Sequence, residues 1–370
     1  TGGLVGSTKA LSLDVSDIDN RGGELSSSAD VRITASQLNN SRLGKVLAGA
    51  AMGLNIANVF NQDNGLIYAG SALRLDGGLL NNSDGTLSGQ TDLTVNLSGD
   101  LENGSGLLSS EGTLNVTAQT LTNTAGKVSS ADALSVVTHG AVSNQQGSIS
   151  TDGTLALTSA SLDNRNQGAM SGKGATVVST GAFDNSHNGQ LTSADSLILN
   201  AAQLTNQDGG RIAAAKAVTA SVTGLDQQAG ELFSNGTLTL DTTVINGITA
   251  GQVTNNGTGT VTVTASQAVI NATLGDANGL TYLGAGDFFG TETLTVTAND
   301  QGSTGTDPGL TGDGTSEEGS EDLSIVVLPV NDAPVADDQS VTTDEDTNVA
   351  ITLTGSDVEM DPLTFVIDAG

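Results

Sequence analysis

Residues 101–123 read Leu101-Glu102-Asn103-Gly104-Ser105-Gly106-Leu107-Leu108-Ser109-Ser110-Glu111-Gly112-Thr113-Leu114-Asn115-Val116-Thr117-Ala118-Gln119-Thr120-Leu121-Thr122-Asn123. The stretch opens and closes on one signature: an apolar residue, any residue, then Asn. Toward the N-terminus the signature recurs as Leu80-Asn81-Asn82, Val59-Phe60-Asn61, Leu38-Asn39-Asn40 and Ile18-Asp19-Asn20. Toward the C-terminus it recurs as Val142-Ser143-Asn144, Leu162-Asp163-Asn164, Phe183-Asp184-Asn185, Leu204-Thr205-Asn206 and, with Gln in the last place, Leu225-Asp226-Gln227. Every step between successive anchors from Asn20 to Gln227 is 20 or 21 residues. Self-similarity at so fixed a period marks a stacked repeat.

Inside each unit the apolar residues keep register as well. Leu108, Leu114, Val116 and Leu121 follow Asn103, and Ile149, Leu155, Leu157 and Leu162 follow Asn144. The alternation Leu114-Asn115-Val116 is a strand period of two, one face in and one out. Ser110-Glu111-Gly112 and Thr151-Asp152-Gly153 punctuate the strands, where turns need positive φ or a side chain bonded to backbone. A single unit of about three short strands cannot bury its one apolar face, but parallel stacking makes ladders of Leu on Leu and Asn on Asn. The fold expected is all-β: a right-handed parallel β-helix of about 11 coils of 20–21 residues, a rod on the order of 50 Å long at about 4.8 Å per coil. An inward Asn is explained by an amide ladder in which each side chain bonds the coils above and below; unpaired, it would be costly. Segment 41–57, with the small-residue run Ala48-Gly49-Ala50-Ala51-Met52-Gly53, lacks this turn chemistry but spans one step, so it reads as a degenerate coil in register.

Composition agrees. The 370 residues include no Cys, no Trp, 6 Phe and 2 Tyr, so a large aromatic core is not expected. Gly, Ser, Thr, Asn and Asp dominate, which suits short strands and tight turns. The net charge of −30 disfavours nucleic acid and anionic lipid and favours cations. The most apolar segment, 46–59, is short and broken by Gly and Asn, and no basic stretch precedes an apolar one at Thr1, so neither a membrane span nor a signal peptide is expected in these residues.

Charge divides the chain. Residues 1–241 hold all 11 basic residues against 21 acids; residues 242–370 hold the remaining 20 acids of the 41. From about Gly259 the texture becomes Thr/Val alternation, at 260–264 and 293–297, which reads as antiparallel sandwich strands, with Phe288 and Phe289 to anchor a small core. The expected division is a shaft over 1–241, a sandwich domain over 242–332 and the first strands of a second over 333–370. Val253-x-Asn255 and Val269-x-Asn271 are open to a second reading as irregular final coils. Both ends fall within repeats, so a fragment of something larger is expected.

Two resemblances attach to these residues. Leu162-Asp163-Asn164-Arg165-Asn166-Gln167-Gly168 and Leu80-Asn81-Asn82-Ser83-Asp84-Gly85-Thr86-Leu87 resemble the haemagglutinin repeats of filamentous haemagglutinin-type exoproteins, over residues 1–241. That family implies a β-helical shaft, exported through an outer-membrane partner by two-partner secretion, in adhesins and in contact-dependent inhibition toxins. Residues 259–370, above all Val330-Asn331-Asp332-Ala333-Pro334, resemble the Ig/cadherin-like repeats of calcium-dependent biofilm adhesins. By this resemblance calcium is the implied cofactor. Its candidate ligands are Asn331 and Asp332 in the linker, Asp344, Glu345 and Asp346 before a strand, Asp357, Glu359 and Asp361, and also Asp300. The Asp357–Asp361 group matches the family's acidic motif, with Glu359 in place of the usual Asp and Met360 in place of the usual Gly. A bland reading stands beside this one: the acids keep an extracellular rod soluble.

Enzymatic chemistry has one foothold. Asp163 and Asp184 hold equivalent places one coil apart, about 5 Å, which suits a pair of glycan-cleaving carboxylates. The same place elsewhere holds Asp19, Asn39, Phe60, Thr122, Thr205 and Asp226, and acids beside turns are ordinary. His139 and His187 lie more than two coils apart without Cys, so a transition-metal site is not expected, and neither a Ser-His-Asp set nor a phosphate-binding loop stands out. Outer Thr/Ser ladders would suit glycan or ice, but any solvated β-surface has that composition. The sequence therefore points to a non-enzymatic shaft of a secreted surface adhesin, meeting a host or bacterial receptor or exopolysaccharide. A toxin-delivery stalk and a β-helical polysaccharide-degrading enzyme are the alternatives.

Overall fold

The inward alternation of each unit builds two parallel ladders. In four-residue strands such as Leu107–Ser110, Lys127–Ser130 and Ser148–Thr151 the second and fourth residues are buried and the first and third are half-exposed or exposed. These strands stack in one sheet of 13, from Leu4–Ser7 to Gln252–Asn255. Leu87 pairs with Leu108, Leu108 with Val128 and Val128 with Ile149, so one aliphatic column fills the interior without a change of register. The computed structural model describes residues 2–246, 252–255, 261–264, 271, 275, 287–299 and 318–367. Two compact units divide it, Thr1–Tyr282 and Leu283–Gly370.

The second ladder of the first unit comes from the rest of each coil. Where a bend interrupts it, two short strands form, as in Leu93–Leu97 with Leu101–Glu102 and Leu114–Ala118 with Leu121–Thr122. Elsewhere the two merge into a nine-residue strand such as Leu155–Asp163 or Leu197–Thr205. The three strands expected per coil are thus two in many coils, because a continuous ladder satisfies more backbone groups wherever side chains permit. Leucine, valine and isoleucine fill the interior, and Phe183 is the aromatic side chain among its described residues. Each such fully buried aliphatic contributes roughly 1.5–3 kcal/mol.

Segment 41–57 keeps its register. Lys45–Ala48 pairs with Glu24–Ser27 and with Leu66–Ala69, and Met52–Phe60 pairs with Val31–Asn39. Beyond Asp241 the parallel ladder runs on: Glu231–Ser234 pairs with Gln252–Asn255, and Leu238–Asn246 with Val261–Thr264. The alternation at 261–264, expected in an antiparallel sandwich, is therefore a solenoid strand. Loss of basic residues does not end a ladder whose register is set by alternation rather than by charge.

In the second unit Gly290–Asn299 pairs antiparallel with Glu318–Val327, as expected for the Thr/Leu/Val alternation at 293–297. Val335–Ala336 pairs antiparallel with Gly355–Ser356. Among the described residues of this unit these are the strands, and the side chains at 287–293 and 321–367 are half-buried or exposed. Phe288 is half-buried and Phe289 exposed, so Phe289 does not anchor a core as expected.

Candidate functional site

The anchor amides form one unbroken ladder. Each Nδ2 donates to the next Oδ1: Asn82 to Asn103 at 2.8 Å, Asn103 to Asn123 at 2.7 Å and Asn123 to Asn144 at 2.7 Å. It runs from Asn20 to Asn206, whose Nδ2 reaches Gln227 Oε1 at 3.2 Å. The second N–H of each amide donates to a main-chain carbonyl about 25 residues on, for example Asn144 to Ala169. Two residues after the amide the turn takes a left-handed residue: Gly22 after Asn20, and from Asn40 on a residue that is not glycine, such as Ser105 (φ 53°), Ala125 (φ 55°) or Gln146 (φ 57°). Glycine follows for a different reason: a Cβ on Gly126 would sit 2.6 Å from Asn123 Oδ1 and closer still to the Asn103 carbonyl. The opposite turn is locked by a hydroxyl, Ser110 Oγ accepting from Gly112 N–H at 3.1 Å and donating to Thr113 O at 2.8 Å. These groups hold the shaft together.

Asp163 and Asp184 are register partners, as their spacing predicts. Arg165 lies against both carboxylates. Its guanidinium grips Asp163 at 2.8 and 3.0 Å and reaches Asp184 at 3.5 Å, while Gln145 donates to Asp163 at 2.6 Å. Partial burial alone would raise the Asp163 carboxyl. The hydrogen bonds from the Arg165 side chain and backbone N–H and from Gln145, with the guanidinium charge, outweigh it and bring the group below its ordinary value. A glycan-cleaving pair needs one carboxyl held protonated, the opposite shift.

The adjoining turn brings together a serine, a histidine and an aspartate that sequence reading left apart. Ser186 Oγ lies 3.0 Å from His187 Nδ1, and His187 Nε2 lies 3.6 Å from Asp208 Oδ2 one coil on. The Ser186 hydroxyl is 3% exposed and donates to Asp184 Oδ1 at 2.6 Å, so its proton is committed away from the imidazole. It is a turn lock, not a nucleophile. Adding one period to the position of His187 would have found Asp208.

In the second unit the structure gathers part of the expected ligand set. The Asp332 N–H donates to Glu359 Oε2 at 3.0 Å, and Asp357 Oδ1 accepts from the N–H groups of Glu359 at 3.0 Å and Asp361 at 3.1 Å. Desolvation, then the negative charges of Glu359, Asp287 and Asp357, push the Asp332 carboxyl above its ordinary value. Asp287 was not expected here; it lies 45 residues before Asp332 and in no motif. Met360 stands at φ 60°, which explains why the motif it resembles has glycine there. Asn331 Nδ2 donates to the Asp332 carbonyl at 3.0 Å, leaving its amide oxygen free of that bond. Asp344, Glu345 and Asp346 make their own turn, closed by Thr347 N–H on the Asp344 carbonyl at 3.3 Å, and none of them is among the charges acting on Asp332. Asp300 lies outside the described residues. Among the described residues no three His, Asp or Glu side chains converge as a ready metal centre, and no helix is long and apolar enough to cross a membrane.

Comparison with known proteins agrees with the ladder. The family described as Haemagglutinin repeat matches residues 1–52, 32–105, 85–146, 134–201 and 192–257, overlapping stretches that together run past Asp241 as the parallel strands do. No curated protein and no solved structure matches the chain.

Proposed function

Because the chain belongs to the haemagglutinin-repeat family, whose repeats cover residues 1–257, we propose that it is a stalk segment of a large secreted bacterial surface adhesin serving cell-surface or biofilm attachment. The observation that carries this reading is the amide ladder from Asn20 to Gln227, which devotes the inner polar groups of each coil to stacking. A structure made of repeated rungs gains reach by adding coils. Export through an outer-membrane partner and a place on the bacterial surface follow from the same reading.

For the second unit the reading is a cadherin-like segment stiffened by calcium. Asp332, Asp357, Glu359 and Asp287 offer the hard oxygen donors that calcium takes; desolvation first, and then the charges of Glu359, Asp287 and Asp357, raise the Asp332 carboxyl, and a cation would offset the repulsive part. Asn331 and Asp361 lie beside them, and Asp300 and the Asp344–Asp346 turn are secondary candidates.

Deleting whole coils between anchors, for instance residues 104–164, from the adhesin in its native bacterium tests the stalk reading. Export and protease resistance should persist while attachment falls with the number of coils removed. Attachment unchanged by shortening, or lost with cleavage of an acidic polysaccharide on Asp163→Asn with Asp184→Asn, would replace the stalk by a local site.

A further inference from the structure

Along seven coils, one strip of the solenoid surface is free of charge. From Leu93–Leu97 through Val218–Asp226, seven successive coils present the second and fourth residues of the long ladder outward. All fourteen positions are Thr, Ser, Asn, Ala, Val or Ile. The run begins after the Arg74–Asp76 ion pair and ends at Asp241. On the other ladder the outward residues include Lys45, Lys127, Arg211 and Glu231. The exposed aliphatics also collect here. Leu43 apart, those between residues 16 and 242 are Val137, Val177 and Ile198, at 38, 36 and 42% exposure. Val177 and Ile198 are direct register partners, with Ala156 beneath Val177.

We propose that this face is where a second copy of the chain packs laterally. A chain of net charge −30 repels its copies through most of its surface, and a neutral side offers the approach of least repulsion. The rows of a second copy have the same spacing, so its side chains can interdigitate over many coils without slipping out of phase. Seven rows about 4.8 Å apart, each about 17 Å long, give roughly 600 Å² of face per copy. Two copies together cover about 1,200 Å², the lower end of specific interfaces, so the pair is reversible and of modest affinity. Thr and Ser hydroxyls at the margins remain free to bond across or to water. This association does not depend on the adhesin reading.

Sedimentation equilibrium of the full chain from about 1 to 100 μM, in low and in high salt, tests the proposal. The expected result is a reversible dimer whose dissociation constant falls at high salt, because screening weakens the repulsion between two polyanions. The double variant Val177→Asp with Ile198→Asp should raise that constant at least tenfold with an unchanged melting curve. A second variant, Val177→Lys with Ile198→Lys, should also weaken self-association, and mixing the two should restore dimers by opposite charge. A mere folding defect would not produce that recovery. Wild-type chain that stays monomeric at 100 μM in both salts overturns the proposal, as does dimerisation unaltered in both variants. Wild-type chain that stays monomeric but sediments with insoluble cellulose or chitin overturns it in favour of a glycan-binding face.

Discussion

Asn144 Nδ2 donates to Asn164 Oδ1 at 2.7 Å while Asn144 Oδ1 accepts from Asn123 at 2.7 Å, so a single buried amide joins three coils. Replacing Asn144 by Leu leaves the donor of Asn123 and the acceptor of Asn164 buried without their partners. A loss of about 2–3 kcal/mol is expected in urea unfolding. At the end of the ladder, Gln227 accepts at a longer 3.2 Å, and Gln227→Asn should stabilise by a few tenths of a kcal/mol, since Asn fits the spacing of the other rungs. Equal effects at the two positions would contradict a cooperative ladder.

Neighbouring residues in one turn should respond oppositely. Gly126→Ala drives a methyl toward the Asn103 carbonyl and Asn123 Oδ1, a clash against backbone that costs about 1–3 kcal/mol. Ala125→Gly removes a Cβ from a φ of 55° and should be neutral or stabilising by up to about 1 kcal/mol. Thermal melting of the two variants side by side decides it; the reverse order would place the strain at the wrong residue.

Thr176 is fully buried and its Oγ1 has no partner, while its register neighbours Leu155 and Leu197 are apolar. Thr176→Val keeps the shape and removes the stranded hydroxyl. Stability should rise by up to about 1 kcal/mol, read from the denaturant midpoint at constant slope.

Acid should act on the two units with opposite sign. The folded solenoid holds Asp163 below its ordinary value, so that contribution is complete above the ordinary carboxylate range and is lost as pH falls through the depressed value. In the second unit Asp332 is raised, so the folded form binds the proton more readily and loses stability as pH rises through the raised value. Hydrogen exchange in EDTA between about pH 3 and 7 should show protection around Asp163 growing with pH and protection around Asp332 shrinking. Parallel trends in both regions would refute the assignment.

Calcium should abolish the second trend. In millimolar calcium the residues around Asp332 should gain protection at neutral pH, and Asp287→Asn should weaken that gain. Met360→Gly should strengthen it by relieving the left-handed turn between Glu359 and Asp361. Protection around Asp332 that is indifferent to calcium would leave these acids as solvating groups.

How much of this was legible beforehand follows from translation. In the solenoid a residue's neighbour above is found by adding 20 or 21, so Asn103 meeting Asn123 and Asp163 meeting Asp184 could be read from spacing alone. The same addition would have joined His187 to Asp208, had the turn been read as closely as the strand. Composition and charge could not place the end of the ladder. Val261-Thr262-Val263-Thr264 alternates identically in a parallel or an antiparallel sheet, and its pairing with Leu238–Asp241 depends on which partner the preceding coils offer. Arg165 closing over two carboxylates, and Asp287 reaching the charge of Asp332, are likewise contacts of position in space: one depends on a long side chain folding back, the other on a chain return of no fixed period. Periodicity dictates the rungs because each repeats its neighbour's environment; where the repeat ends, only the assembled fold chooses the partners.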